Sequence, residues 1–594
     1  MDNQASLVTK RMEKPGRNVA TNNEPSVMEQ NEVRRLIDQP QTRIRDIDAE
    51  ISRLLAERDK LEHFVGAHSR VLSPIRRLPA DILSEIFILC LPTDHFPSRD
   101  LAEAPLLLTF VCHIWRNVAL RTPRLWNAIH IFIPHPAIDV GTYYEPWMQK
   151  RLEGIRNWLK QSGTLPLHLS LSTGSYPSFP NPDSRDPVFP VKGVCDEILS
   201  LLVGFSSRWM SLSLVDIIER VKDRLDELLP PNLPMLKAIQ LVEEKGPFLY
   251  ISKDLDVHTK NLLRRASCSL RDIRLQNFPT LRTLNDFPIS WTTLTYVSLA
   301  MFPATSIPEL ATLTPALRTC SLEVDIDADI LQVDAITPVE WPHLHTLILD
   351  FERRTPYLDD DFLGETDEVI RFLGFILTPA LAYLVFKNKR GCSYQVVEGY
   401  LPPFCDLLSR SNCLDSLESL YLDFLIPDNM MVHTLQLLPG LTTLEVSNHA
   451  FHKEMWNEET PYCNVIGEET LLAITPSPSS QSSPTPAPAC PALQVIRLAN
   501  CAPAYAPQIL NLAQLRGGRG QLKLFSIQFG DCSQVKLNEF IRAEETLAEV
   551  EELQRGEMVF EWKWDDCRIG LRDHDNALDG FYRFDDHLDS VFSR

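Results

Sequence analysis

The sequence has no long apolar run and no cysteine pattern suited to a metal site or a disulfide framework. Its longest apolar stretch, Phe372 to Phe386, is interrupted by Thr378 and Pro379 and is shorter than the roughly 20 residues of a membrane-spanning helix. No two of the 13 cysteines are spaced as CxxC. The first residues also lack the apolar core of a signal peptide. These absences predict a soluble, reduced protein of the cytoplasm or nucleus, without structural disulfides.

Positive charge is also scarce. The 594 residues include 58 Lys and Arg against 79 Asp and Glu, a net charge of −21, and residues 541–594 alone carry 15 acidic and 7 basic groups. Nucleic-acid affinity depends on clustered Lys and Arg that neutralise phosphates. We therefore expect no nucleic-acid partner, and the absence of a membrane span argues against a membrane partner.

Motifs of catalysis are missing as well. The chain contains no Walker loop, GxGxxG, GxSxG or HExxH sequence, and its histidines and cysteines show no spacing typical of metal ligands. We therefore expect no catalytic residue, no cofactor and no metal, and interpret the chain as a protein without enzymatic activity. An enzyme hidden in an irregular α/β fold is the weakest of the hypotheses.

A heptad pattern is the first positive feature, and it occupies residues 41–70 after a polar stretch, 1–40, that is predicted to be disordered. Position a holds Ile44, Ile51, Arg58 and Val65, and position d holds Ile47, Leu54 and Leu61. Glu50 and Glu57 fall at position g, as in a coiled-coil strand. Three heptads are marginal alone. The pattern therefore fits two readings, an amphipathic helix that packs on its own chain and weak self-association through 44–65.

Three short helical signals follow within residues 71–130. The first begins at Pro79 and Asp81, where a proline and an acidic residue suit a helix N-terminus. Pro105 opens the second, whose buried side is predicted to contain Leu107, Phe110, Val111, Ile114, Trp115 and Val118. Thr122 and Pro123 open a last turn with Leu125 and Trp126. Three short helices cannot cover this many apolar groups, so they need the following domain or another protein to pack on.

A segment of the form Leu-x-x-(Leu/Ile/Val)-x-(Leu/Val) recurs over residues 131–530. Clear copies are Leu236/Ile239/Leu241, Leu270/Ile273/Leu275, Leu294/Val297/Leu299, Leu344/Leu347/Leu349, Leu417/Leu420/Leu422, Leu441/Leu444/Val446 and Leu493/Ile496/Leu498. Looser copies are Trp126/Ile129/Ile131, Trp209/Leu212/Leu214, Leu317/Cys320/Leu322, Leu381/Leu384/Phe386 and Leu522/Phe525/Ile527. This is the strand signature of leucine-rich repeats, here irregular in period. Because one such unit cannot bury its apolar face alone, stacking of the units would form the core.

The repeats are interrupted once by a long insertion and are followed by an acidic end. A gap of 52 residues between Leu441 and Leu493 contains a Pro/Ser-rich loop, 475–491, with the composition of a flexible segment. Met558, Phe560, Trp562 and Trp564 alternate as in a strand. Residues 531–594 are therefore predicted to form an acidic C-terminal cap on the repeats.

Residues 71–130 resemble an F-box of the kind found in F-box proteins with C-terminal leucine-rich repeats that are common in fungi. The matching positions are Leu78-Pro79-Ala80-Asp81-Ile82-Leu83, Ile86-Phe87, Val111-Cys112, Trp115-Arg116, Pro123 and Leu125-Trp126. The stretch 92–101 is longer than a compact F-box needs and could loosen docking. The resulting fold class is α/β, with a coiled-coil-like N-terminal helix, a three-helix F-box and an irregular leucine-rich-repeat solenoid.

The resemblance implies the substrate-recognition subunit of a Skp–cullin–F-box ubiquitin ligase. Its partners would be the Skp adaptor, through it a cullin, and a protein substrate held by the repeats. Adaptor contact is carried over to Leu78, Pro79, Ile82, Leu83, Ile86, Phe87, Val111 and Trp115, several of which could instead form the F-box interior. Candidate substrate contacts lie between the motif leucines at Glu418, Ser419, Tyr421, Thr442, Thr443, Glu445 and Arg497. The alternative is a non-catalytic interaction scaffold unconnected with ubiquitin.

Overall fold

A computed structural model describes the chain in segments. These are residues 27–72, 74–133, 144–173, 194–217, 219–242, 256–276, 284, 287–303, 306–325, 338–352, 372–388, 403–423, 428–447, 466–476, 488–501, 505–518, 520–529, 544–556 and 558–564. The chain divides into two units, 1–83 and 84–594, which are described separately below. Within the described residues, no helix is both long and apolar enough to cross a membrane.

The first unit contains one long helix, α1 (Val27–Leu72), and a 3₁₀ turn, Pro74–Arg77. Helix α2 (Ala80–Leu89) runs across the division between the units. The remaining helices are α3 (Leu108–Val111), α4 (His113–Leu120), α5 (Tyr144–Gln161), α6 (Val194–Val203), α7 (Glu219–Leu228), α8 (Val257–Ala266), α9 (Ile307–Leu313), α10 (Pro403–Arg410), α11 (Asp428–Gln436), α12 (Glu468–Ile474), α13 (Ala506–Gly517) and α14 (Glu544–Arg555).

The strands of the second unit alternate with these helices and with short 3₁₀ turns. They are β1 (Ala128–Ile133), β2 (Leu167–Thr173), β3 (Trp209–Val215), β4 (Ala238–Val242), β5 (Asp272–Gln276), β6 (Tyr296–Pro303), β7 (Thr319–Asp325), β8 (Val339–Glu340), β9 (Thr346–Glu352), β10 (Ile376–Leu377), β11 (Tyr383–Asn388), β12 (Ser419–Asp423), β13 (Thr443–Ser447), β14 (Val495–Cys501), β15 (Leu524–Phe529) and β16 (Val559–Trp564). The 3₁₀ turns are Pro123–Leu125, Ser206–Arg208, Trp291–Thr293 and Phe372–Phe375.

Fourteen of these strands form one parallel sheet in which each strand pairs with the next one along the chain, with β8 and β10 set aside as a separate pair. A parallel connection needs a crossover of a dozen or more residues, and the intervening helices and loops provide it. The protein is therefore a mixed α/β protein with a long N-terminal helix and a long parallel sheet.

The repeated apolar segment correctly predicts where the strands lie. All twelve copies fall on sheet strands, and their last two motif residues lie in register from strand to strand, as Leu444 lies beside Leu420 and Ile496. The leucine or tryptophan that opens each copy is at most 4% exposed, so this residue belongs to the core together with the two motif residues that follow it. The predicted strand around Met558 to Trp564 is also observed, as β16.

Strand β2 was not among the predicted strands. Its core residues Leu169 and Leu171 are in register with Ile129 and Ile131 of β1, but Pro166 occupies the place of the opening leucine. The repeat pattern is incomplete there because a proline occupies its first position.

The N-terminal helix differs from its predicted extent. It begins at Val27, so residues 27–40 are helical rather than disordered, and Pro40 lies inside the helix. Its interior is otherwise rich in Glu, Arg, Leu and Ala, which are good helix formers. Residues 1–26 lie outside the described part of the chain, as do 477–487 of the predicted Pro/Ser-rich loop and 565–594 of the predicted acidic cap.

The second predicted F-box helix is wrong in one important respect. It is split into α3 and α4 at Cys112, whose backbone is extended with φ −161° and ψ 170°. The Cys112 Sγ accepts a hydrogen bond from the Trp115 N–H at 3.5 Å and so caps the N-terminus of α4. The break changes which side chains of this segment face inward.

Candidate functional site

An exposed apolar surface lies on α3 and α4 of the second unit. Its members, which we call the 107–114 patch, are Leu107, Phe110, Val111 and Ile114, with exposed fractions of 44%, 60%, 54% and 56%. All four belong to the side of the segment that the sequence pattern predicts to be buried, and this expectation is wrong. Val118 is buried, as predicted, and Leu108, which is not part of the predicted buried side, is buried as well.

Buried contacts hold the 107–114 patch in place from below. Leu108 is 4% exposed, and Thr109 Oγ1 donates to the Leu106 carbonyl at 2.7 Å. Arg116 Nε donates to the Thr109 carbonyl at 2.9 Å, and its guanidinium lies 5.6 Å from the centroid of the Phe110 ring. These contacts join α3 to α4 across the break and so hold in place the backbone that carries the exposed apolar side chains.

Trp126 contacts the C-terminal end of α4. It is 3% exposed, and its Nε1 donates to the Ala119 carbonyl at 2.8 Å. Its ring meets Trp158 of α5 edge-on at 4.9 Å. Trp126 is thus an interior residue of the second unit.

The eight residues carried over as adaptor contacts divide by exposure. In the first unit, Pro79 and Ile82 are exposed, with Ile82 at 50%, whereas Leu78 is half-buried and Leu83 is buried.

In the second unit, Val111 is exposed and Ile86 is half-buried. Phe87 is fully buried, with its ring 4.9 Å from that of the half-buried Trp115. Leu83 and Phe87 therefore support the fold, while Pro79, Ile82 and Val111 present surface.

Leu107, Phe110 and Ile114 are exposed residues that the site assignment from sequence omits. A signal for them exists, because apolar residues at 107, 110, 111, 114, 115 and 118 outnumber those that one face of a short helix can bury. The sequence does not say which of the six remain outside.

The long stretch 92–101 covers the outer edge of the parallel sheet. The Pro97 carbonyl accepts a hydrogen bond from the His130 N–H of β1 at 2.8 Å. Phe96 is 8% exposed and belongs to the same buried cluster as Ala128 of β1. An uncovered edge strand is a template for unwanted pairing, so this segment protects the first strand. The stretch therefore has a role in the fold, which its length alone does not indicate.

A hydrogen-bonded histidine holds this edge-covering segment together. His95 lies between Asp94, 2.8 Å from Nδ1, and Glu103, 3.1 Å from Nε2. Glu103 also accepts from the Ser98 N–H at 3.2 Å. Partial burial by itself would lower the pKa of His95, but its hydrogen bonds to Glu103 and Asp94 outweigh burial and raise that pKa.

The face of the sheet opposite the motif leucines carries a second candidate surface. Strand pairing aligns one residue from each strand along the middle of this face: His130, Ser170, Ser213, Gln240, Arg274, Ser298, Ser321, Ile348, Val385, Tyr421, Glu445, Arg497, Ser526 and Glu561. This central row is polar at both ends. Its middle is apolar, because Ile348, Val385 and Tyr421 form one buried cluster.

Many polar groups of this face bond to one another. His130 contacts Ser170 at 2.9 Å, and His168 contacts Ser211 at 2.8 Å. Burial lowers the pKa of His168 to about 4. His168 is therefore neutral near pH 7.

Some of the residues predicted as substrate contacts also bond to other side chains of the sheet. Arg497 pairs with the fully buried Glu445 at 3.1 Å, and Glu418 accepts from Tyr383 at 3.3 Å. Ser419 and Tyr421 are buried, whereas Thr443 is half-buried. The exposed part of this set is smaller than the sequence suggests.

The described cysteines divide between the interior and the surface. Burial raises the pKa of Cys405 and Cys413 to about 11 and that of Cys490 to about 12, so these thiols stay protonated and are poor nucleophiles. Cys90 and Cys112 are exposed. Among the described residues, no three His, Cys, Asp or Glu side chains converge as a metal site would require.

No protein-family model matches the chain, and no curated protein matches it in sequence. Among solved structures, the chain is similar to the crystal structure of the Rad7 and Elc1 complex in yeast. That alignment covers 66% of this chain and 83% of the other, with 14% sequence identity and a TM-score of 0.26.

Proposed function

We propose that this protein is the substrate-recognition subunit of a Skp–cullin–F-box ubiquitin ligase. In this proposal the F-box-like segment binds the Skp adaptor, and the parallel sheet with its helices is an irregular leucine-rich-repeat solenoid that binds a protein substrate. The chain itself performs no chemistry. It would raise the effective concentration of a substrate lysine near a ubiquitin thioester carried by the complex.

The 107–114 patch is the observation that carries the proposal. Four large apolar side chains, each between 44% and 60% exposed, lie within eight consecutive residues of the segment whose motif resembles an F-box. Exposed apolar side chains concentrated in one part of a protein favour an interaction site there. The contacts that hold α3 and α4 together favour binding, because little conformational entropy is lost when a partner docks on a preformed surface.

The sheet supports the second half of the proposal. Each repeat places one side chain on the central row, and the partly exposed members of the row are His130, Gln240, Arg274, Ser321, Arg497 and Glu561. In this proposal these polar side chains, which lie on either side of the buried apolar middle, contact an extended segment of the substrate. Substrate specificity would arise from this combination.

The adaptor half is tested on the full-length chain by measuring its affinity for the purified Skp adaptor at physiological salt. We expect Val111→Asp to weaken binding at least about 30-fold, as expected for a buried hot-spot residue worth 2 kcal/mol or more. Val559→Asp is the matched control, since Val559 in β16 is the same residue type with the same 54% exposure. Its affinity should equal that of the wild type.

A reconstituted assay with cullin, ubiquitin and an E2 enzyme extends the test. Ubiquitin transfer should depend on the chain and should fall with Val111→Asp but not with Val559→Asp. If the wild-type chain binds no adaptor, the ligase proposal is wrong and the alternative, an interaction scaffold unconnected with ubiquitin, takes its place. If binding occurs and both variants retain it, the 107–114 patch is not the adaptor site.

A further inference from the structure

The long helix α1 of the first unit carries an apolar stripe that is exposed along its length. The a and d side chains from Ile44 to Val65 are 44% to 60% exposed where they are apolar, and Ile37, one heptad earlier at position a, is 44% exposed. Leu55 and Phe64, which flank the stripe, are exposed as well. The structure thus extends the heptad pattern one repeat towards the N-terminus, on a helix of 46 residues.

A helix of this kind needs a partner surface. Most helical stability in proteins comes from packing of an amphipathic face rather than from intrinsic propensity, and here that face is open to solvent. Ion pairs along the helix, such as Arg53 with Glu50 at 2.7 Å and Arg53 with Glu57 at 4.0 Å, are exposed to solvent, and exposed pairs of this kind add little to stability. The apolar stripe is therefore the part of the helix from which a partner could add stability.

The residue types along the stripe select the partner. Position a holds the β-branched Ile44, Ile51 and Val65, while position d holds leucine at two of its three places, Leu54 and Leu61, and isoleucine at the third, Ile47. β-Branched residues at a combined with leucine at d favour two-stranded parallel coiled coils. A second copy of the chain supplies this complement, since two identical stripes in register pair each a residue with itself and each d residue with itself.

The charges agree with this choice. Arg58 occupies an a position and lies 3.4 Å from Glu62 of its own helix. In a parallel pair, a g residue of one helix lies beside the following a residue of the other, so each Arg58 would meet the second copy's Glu57. Arg43 at g would likewise face the second copy's Asp48 at e.

An antiparallel pair fits less well. Pairing Ile51 with Leu54 of the other helix would place Val65 opposite Pro40 and would bring Glu50 against Glu57 at two places. Like charges so placed oppose association.

We propose that residues 41–72 of α1 bind a second copy of this chain as a parallel, in-register two-stranded coiled coil, with Arg58 in the seam neutralised by Glu57 and Glu62. A single polar residue in the seam is known to specify register and oligomer state at some cost in stability. Dimerisation would present two F-box-like segments together, and it does not depend on what those segments bind.

Disulfide trapping of the full-length chain tests the geometry. Leu54→Cys should form a covalent dimer under mild oxidation, because a d residue meets its own counterpart only in a parallel, in-register pair. Ala56→Cys, exposed on the opposite side of the helix, and the wild type with its native cysteines are the controls and should remain monomeric on denaturing gels. Covalent dimers that form only when the Leu54→Cys and Ile51→Cys chains are mixed would instead show an antiparallel pair and overturn the proposal.

Charge reversal tests the seam by light scattering of the full-length protein at micromolar concentration. The wild type should have twice the chain mass, and Arg58→Glu should halve it by placing six carboxylates in one layer. The double variant Arg58→Glu/Glu57→Arg should restore the dimer. A wild type that is monomeric at this concentration, with its stripe packed on its own chain or on another protein, would refute the proposal, whereas adaptor binding by Arg58→Glu would be unaffected either way.

Discussion

The covering of the first sheet edge by Phe96 leads to a prediction about local stability. Phe96 is 8% exposed and packs beside Ala128, so Phe96→Ala removes nearly a whole buried ring. Such truncations cost about 3 to 5 kcal/mol. Because the segment lies at the surface and can partly collapse, we expect the lower end, about 3 kcal/mol, which corresponds to roughly a 100-fold change in an opening equilibrium.

The amide of His130 reports this opening directly, since its N–H donates to the Pro97 carbonyl at 2.8 Å. In Phe96→Ala, hydrogen exchange at His130 should accelerate by about 100-fold, while amides of the central strands keep their wild-type rates. Leu101→Ala, at a 60% exposed position of the neighbouring chain, is the control and should leave the His130 amide unchanged. Unaltered exchange at His130 in Phe96→Ala would refute the edge-covering role of the segment.

Three further outcomes are expected. Arg516 is fully buried and donates to the carbonyls of Ile474, Ala489 and Cys490 at 2.8 to 3.2 Å. In chemical denaturation, Arg516→Met should therefore lower the free energy of unfolding by about 3 kcal/mol. The same substitution of an arginine on the surface should cause no measurable loss. The pKa of His168 falls from 6.5 to about 4 on folding, so its contribution to stability, about 3 kcal/mol, is present above pH 6.5 and lost towards pH 4. In His168→Gln, the melting temperature should therefore change less with pH over that range. The pKa of His95 is raised, so the edge-covering segment should loosen as the pH rises through that pKa, and the protection of the Ser98 amide, measured relative to its intrinsic exchange rate at each pH, should fall. His95→Gln should abolish this pH dependence of the protection.

The insertion in the repeats shows how the fold tolerates irregular spacing. Arg516 of α13 binds carbonyls at both ends of the inserted loop, at Ile474 just before it and at Ala489 and Cys490 near its end. The buried guanidinium thereby joins the two ends of the excursion. Adjacent strands β13 and β14 remain in register although their motifs are 52 residues apart.

The strands were predictable because one physical requirement repeats along the chain. Each strand must bury its opening leucine or tryptophan and the two apolar residues that follow at +3 and +5, and this requirement leaves a mark in every copy. β2 does not show the complete pattern, because Pro166 occupies the first of these positions.

The 107–114 patch was not predictable in the same way. Leu107, Phe110, Val111 and Ile114 follow helical spacing as well as any buried stripe does, and nothing around Cys112 is a strong helix breaker. Which apolar side chains face outward depends on the break at Cys112 and on how Leu108, Val118 and Trp126 fill the space beneath. The pairing of Glu445 with Arg497 is similarly a product of strand neighbourhood rather than of sequence distance.

By itself the sequence determined the positions of the strands and the heptads of the N-terminal helix, because both depend on the periodic spacing of apolar residues. Only the tertiary structure decided that the 107–114 patch is exposed, that 92–101 covers the edge of β1 and that the polar face of the sheet is largely self-bonded. Those outcomes depend on the space that neighbouring elements leave open, which local spacing does not encode.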